Sequence, residues 1–151
     1  MWKCSLILPV LMGVAMSASA QEPTWRNGIG ALIKDKCGEC HGEKRPEYQE
    51  WNLGDKKKGS RIVSYPDFMS YVVWPATGAA MRRLDDGKSS PAGKPGNMYE
   101  YLGETDAERA ANLAKIKAWL GDGAWNLNRW GPRGDVPGVT KEQLDKVKAK
   151  Y

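Results

Sequence analysis

Apolar residues along this chain recur at helical rather than strand spacing. Ile29, Leu32 and Ile33 fall on one face of a stretch over residues 24–36, with Thr24 placed to cap its start. Phe68, Tyr71 and Val72 line one side of a shorter stretch over 66–74, where Pro66 suits a first helical turn and Pro75 forbids continuation. The clearest pattern, Leu113, Ile116, Trp119 and Leu120, predicts a helix over 105–120. Thr105 caps it, Glu108 stands where a capping box needs it, and Gly121 and Gly123 stop it. A last stretch over 140–150 opens on Thr140 with Gln143 in the reciprocal position. Its apolar content, Leu144 and Val147, is thin and predicts a surface helix.

No segment combines alternation with β-branched enrichment, so the pattern predicts an all-α fold of three to four helices. The connections over 42–65, 75–104 and 121–139 are too long for so small a bundle unless another group fills its middle. There is no internal repeat and no low-complexity tract.

The amino end departs from this pattern. Met1-Trp2-Lys3 gives a short positive start, residues 5–16 are apolar, and Ala18-Ser19-Ala20 is a small-residue cleavage site. These features predict a secretory signal peptide over 1–20 and a mature chain from Gln21. The apolar run is shorter than the roughly 20 residues a spanning helix needs, and no other stretch is expected to cross a membrane. The mature chain, 21–151, has the size of one domain. Loss of Lys3 takes the formal net charge from +5 to +4. So mild an excess does not imply nucleic acid, though it suits an acidic partner protein.

Export makes the cysteines informative. Cys4 leaves with the signal, and Cys37 and Cys40 remain in an oxidising compartment. Cys37-Gly38-Glu39-Cys40-His41 is the C-x-x-C-H pattern of c-type haem attachment. Two cysteines three apart on a helical turn face the same way, so both sulfurs reach one edge of the macrocycle. The next residue then points its imidazole at the iron. Gly38 leaves the ring edge uncrowded and Gly42 lets the chain turn away. A thioredoxin-like dithiol belongs in a βαβ pattern, which is lacking here. Structural zinc needs four ligands, more than two cysteines and a single histidine supply. A Cys37–Cys40 disulfide is strained at this spacing and leaves His41 unexplained.

His41 is the only histidine, which excludes a bis-histidine haem. A second protein ligand is then methionine, lysine or something rarer. A thioether suits haem iron and raises its potential relative to a second nitrogen ligand. Met69, Met81 and Met98 remain in the mature chain, and Met69, beside Phe68 inside the second helix, reads as core.

Met98 lies in Lys94-Pro95-Gly96-Asn97-Met98-Tyr99, just ahead of the third helix. With that loop the chain resembles the class I cytochrome c family. The family pattern places an N-terminal helix before C-x-x-C-H, an aromatic-bearing middle helix ending at Pro, a Pro-Gly loop that presents a Met, and a C-terminal helix crossing the first. Residues 28–36, 71–75, 95–98 and 108–120 correspond in order, so the resemblance covers about 25–120. It implies a cytochrome c-like fold around one covalently bound haem c. It also implies Met98 as sixth ligand and Trp119 packed on the first helix near Gly28 and Gly30. The long 75–98 stretch holds an alternative ligand, Met81, after Trp74-Pro75, and an open iron is the third possibility. The methionine that is not a ligand fills a core gap. Residues 121–151 have no counterpart in the minimal pattern and form a C-terminal extension.

The implied function is one-electron transfer between periplasmic redox proteins, with Cys37 and Cys40 anchoring the haem and His41 and Met98 holding its iron. No acid/base pair or nucleophile constellation is visible, which fits a carrier rather than an enzyme. Two alternatives are a haem subunit of a respiratory oxidoreductase, marked by an apolar patch around 125–130, and a gas- or peroxide-binding cytochrome with an open iron. Six tryptophans, Trp25, Trp51, Trp74, Trp119, Trp125 and Trp130, supply core area and exclude water from a haem. Lys44-Arg45, Lys56-Lys57-Lys58 and Arg61 read as a basic docking face or as a solvated loop. Arg82-Arg83 read as partners for haem propionates or as another solvated face.

Overall fold

The computed structural model describes residues 21–54, 59–131, 133 and 139–151. The predicted signal peptide over 1–20 and the Lys56-Lys57-Lys58 run lie outside the described residues. Within them the chain is all helical, with no strand. None of these helices is long and apolar enough to cross a membrane.

The first predicted helix arrives in two pieces. Thr24 caps a π-helical turn, Trp25–Ile29, through a reciprocal pair with Asn27, and α1 follows over Gly30–His41. The break comes at Asn27 and Gly28, whose backbones are not helical. α1 therefore runs five residues past the predicted end and carries the whole C-x-x-C-H motif. The second predicted helix is α3, Tyr65–Ser70, capped by Ser64 and stopped at Tyr71. The third is α5, Asp106–Leu120. Its capping differs from the expected box: Thr105 accepts from the Glu108 N–H at 3.1 Å, but the Glu108 carboxylate accepts from the Glu104 N–H at 2.9 Å. Lys36 pairs with that same carboxylate at 2.7 Å, tying α1 to the start of α5.

The predicted long connections hold further short helices: α2, Tyr48–Leu53; α4, Ala79–Leu84; a 3-10 turn, Tyr99–Leu102; and α6, Asp122–Trp125. Each spans four to six residues. Helices of this length carry too few periods for an amphipathic stripe to show and depend on tertiary packing.

One buried cluster joins these pieces. Trp25, Phe68 and Trp119 pack with ring centroids 5.7–5.9 Å apart, and Tyr65 sets its edge against both tryptophans. Trp119 thus meets the N-terminal turn through Trp25. Gly30 seats the Trp25 indole itself, since a Cβ there would lie 2.8 Å from its Nε1, while Gly28 faces open space. The close approach implied for Trp119 at both glycines is therefore a seat for Trp25 at one of them.

The terminal surface helix reduces to one turn, α7, Lys141–Leu144, with the Thr140–Gln143 capping box in place. Beyond it the chain is extended and bound into the fold. The Lys150 carbonyl accepts from the Trp25 N–H at 2.8 Å and from the Trp119 indole at 2.9 Å, and the Leu120 carbonyl accepts from the Lys148 N–H at 2.9 Å. Tyr151 packs edge-on to Tyr65. The carboxyl end is a strap across the aromatic cluster.

Candidate functional site

The last turn of α1 presents Cys37, Cys40 and His41 together. Cys37 packs half-buried against the core, Cys40 is exposed, and both thiols are free. Burial pushes the Cys37 thiol up to about 11, with Cys40 and Asp35 adding to the shift. A redox-active dithiol needs the opposite, a thiol whose pKa is lowered.

His41 closes the helix, and its ring orientation is fixed. A carbonyl only accepts, so Nδ1 carries the proton and donates to the Ser60 carbonyl at 2.7 Å. Nε2 is left with its lone pair, the tautomer a metal-ligating imidazole needs. The Ile62 N–H binds the His41 carbonyl at 3.1 Å, so residues 60–62 are laced to the helix end from both sides. Gly59 makes this possible. Its φ is +65°, and a Cβ there would stand 2.5 Å from the His41 Cε1. Gly59→Ala is expected to push the imidazole off its axis and to cost about 1–3 kcal/mol from backbone strain alone. Optical and urea-unfolding measurements would show a high-spin component and a lower midpoint; a wild-type spectrum and midpoint would refute the contact.

A polar thread continues from His41 across the interior. Ser60 Oγ hydrogen-bonds the Tyr71 hydroxyl, and burial raises the Tyr71 pKa, so the phenol is neutral. The Arg83 guanidinium lies close enough to Tyr71 to act on it electrostatically, and the Arg83 carbonyl accepts from the Met98 N–H at 2.9 Å. His41 is thus tied to Tyr71 through Ser60, and Met98 to the backbone of Arg83. Met98 stands half-buried at the start of the 3-10 turn, whereas Met81 is fully buried within α4. Met69 is half-buried on α3, against the same core.

Arg82 and Arg83 have no carboxylate partner among the described residues. Arg82 donates to the Thr77 and Asn128 carbonyls at 3.2 and 2.7 Å, and Arg83 to the Ala79 carbonyl at 3.3 Å. Burial foremost, and repulsion involving Arg133, lowers both guanidinium pKa values. Partly buried cations without a counter-charge favour an anionic group beside them.

Other expected residues are placed differently. Arg61 is committed internally, to Asp67 at 2.7 Å and Glu47 at 2.6 Å, and adds no free charge to a docking face. Lys44 and Arg45 line a cleft of about 490 Å³ beside α1, but Glu39 and Glu43 line it too, so it is not purely basic. Trp125 is buried and Trp130 stacks with Arg129, its ring 4.6 Å from the guanidinium, so Trp125 does not form an exposed apolar patch. Trp74 is exposed rather than enclosed.

Sequence reasoning missed Gly59, Ser60 and the polar role of Tyr71. Tyr71 reads locally as one apolar position on a helix, and nothing near Ser60 signals that its carbonyl meets a histidine ring.

Two unpaired thiols one turn apart, an adjacent imidazole with Nε2 available and uncompensated guanidiniums nearby fit haem c bound by its edge, its iron and its acidic groups. The helical fold and this motif define a monohaem c-type cytochrome. Residues 24–151 match the family described as PccH cytochrome c, and the chain belongs to that family. Among solved structures it is similar to the monoheme cytochrome PccH from Geobacter sulfurreducens, with 42% identity and a TM-score of 0.71. That alignment covers 86% of this chain and 99% of the other. No curated protein matches. The family match runs to the last residue and so takes in the 121–151 segment, in keeping with the strap that residues 148–151 form. The protein is an electron-transfer haem protein.

Proposed function

We propose that this cytochrome is a periplasmic one-electron carrier, anchored to its haem through Cys37 and Cys40 and ligating the iron with His41 and Met98. The fixed tautomer of His41 carries the reading. When bound, haem c supplies an iron that cycles between ferric and ferrous states. The chain's part is to hold that iron's surroundings constant. The Ser60 carbonyl keeps the imidazole from rotating. The buried aromatic residues keep water out, which disfavours the more highly charged oxidised state. Arg82 and Arg83 stand ready to neutralise propionates. A site whose ligands move little between redox states suits a carrier.

Met98 is favoured by its half-buried position at a turn whose backbone is bound to that of Arg83. The predicted signal over 1–20 supports export, and the absence of a spanning helix among the described residues is compatible with it. The carrier role needs both axial positions filled.

The test is the optical spectrum of the ferric protein. It is expected to be low-spin with a methionine-to-iron charge-transfer band, lost in Met98→Ala and kept in Met81→Ala. Loss of the band only in Met81→Ala would overturn the ligand assignment. A high-spin wild-type spectrum with rapid carbon monoxide binding would replace the carrier with a gas-binding protein.

A further inference from the structure

A second feature lies beside Tyr71, on the far side of Tyr48. α2 and the turn at Trp74-Pro75 enclose a groove of about 280 Å³, lined by Tyr48, Gln49, Asn52, Leu53, Trp74 and Pro75. Leu53 and Trp74 are 91% and 53% exposed, so the groove opens to water between two large apolar side chains. Among the described residues every one lining the groove is uncharged, in a chain where 27% of residues carry charge. Aromatic and aliphatic walls with two carboxamides suit a small planar ring bearing hydrogen-bonding oxygens, and the volume, just below the usual range of ligand pockets, limits the ligand to a single ring.

The groove is also wired inward. The Tyr48 ring meets Tyr71 edge-on at 5.3 Å, Tyr71 hydrogen-bonds Ser60, and the Ser60 carbonyl holds the His41 ring. One through-space step between two tyrosines, followed by hydrogen bonds, joins the groove to the proposed iron ligand. Such a route favours tunnelling, which falls steeply with every unbridged gap.

We infer that this groove binds a small uncharged hydroquinone or quinone and is the point where electrons pass between such a molecule and the protein. The inference rests on the carrier reading for its electron acceptor. One hydroquinone and two ferric proteins give one quinone, two ferrous proteins and two protons, and the protons enter the water at the groove mouth. Gln49 and Asn52 bind the ring oxygens, and Trp74 and Pro75 pack on its faces. A neutral ligand matches the described lining, whose polar groups are a phenol, two carboxamides and an indole and include no cation to receive an anion.

Tetramethylhydroquinone tests this in two ways. Added to the ferrous protein, with which it does not react, it should shift the Trp74 indole N–H and the Gln49 and Asn52 side-chain amides in a saturable manner by NMR. Mixed with the ferric protein, it should reduce Trp74→Ala about tenfold more slowly than wild type, while the anionic reductant ascorbate reduces both equally. Tyr48→Leu should retain the NMR shifts but slow the hydroquinone reaction. Absence of shifts at these three side chains, or equal slowing of both reductants in Trp74→Ala, would overturn the inference. Saturable shifts in a protein whose ferrous form binds carbon monoxide rapidly would keep the binding site and sink the carrier reading.

Discussion

Replacing Cys37 and Cys40 together by serine is expected to give a protein from which acidified organic solvent removes all the haem, whereas the wild type retains it through the same extraction. The reason is local. α1 is helical through both positions, so the two sulfurs share one side of the last turn. Serine hydroxyls form no thioether. Each single variant should keep one bond and one altered band in the reduced spectrum, because each sulfur attaches independently. His41→Ala should behave in the converse way, holding the haem covalently while losing the low-spin spectrum. If the double serine variant still retained haem after extraction, the attachment reading of the motif would be wrong.

Trp119→Ala should produce the largest loss of stability, about 3–5 kcal/mol, the range for removing a large buried aromatic side chain. Trp119 is 1% exposed and contacts the rings of Trp25, Tyr65 and Phe68, so its removal leaves a cavity at the meeting of the N-terminal turn, α3 and α5. It also removes one of the two hydrogen bonds to the Lys150 carbonyl, loosening the C-terminal strap. Trp119→Phe keeps most of the ring packing and loses that bond, so it should cost less, about 1 kcal/mol for the hydrogen bond plus the smaller volume change. Urea unfolding separates the cases by midpoint at similar slope. A loss under about 1 kcal/mol for Trp119→Ala would mean that the aromatic cluster is not the centre of the core.

The strap lies within the span of the family match, which takes in residues that a minimal cytochrome pattern leaves out. Residues 148–151 bond Trp25, Trp119, Leu120 and Tyr65 from outside. Their sequence, Lys148-Ala149-Lys150-Tyr151, is polar on its face, and the groups that bind are mostly backbone carbonyls. Side-chain pattern carries no trace of a carbonyl's partner, which is why this stretch reads as a solvent-facing helix.

The sequence by itself determined the chemistry and the strongest helix. C-x-x-C-H names its ligand because covalent attachment requires adjacent residues on one turn, and a constraint that local is written in consecutive letters. The stripe from Leu113 to Leu120 and its Thr105 cap are equally local, and α5 has those bounds. Tertiary structure decided what depends on contacts between distant residues. It folded the supposed loops into short helices, because packing against a common core stabilises turns too brief to show a periodic stripe. It set the His41 tautomer through a carbonyl 19 residues away. It withdrew Arg61 into ion pairs and left Arg82 and Arg83 without carboxylate partners among the described residues. It also brought Met98 beside the backbone of Arg83. A hydrogen bond between remote groups depends on where the chain returns in space, and residue spacing along the sequence does not record that.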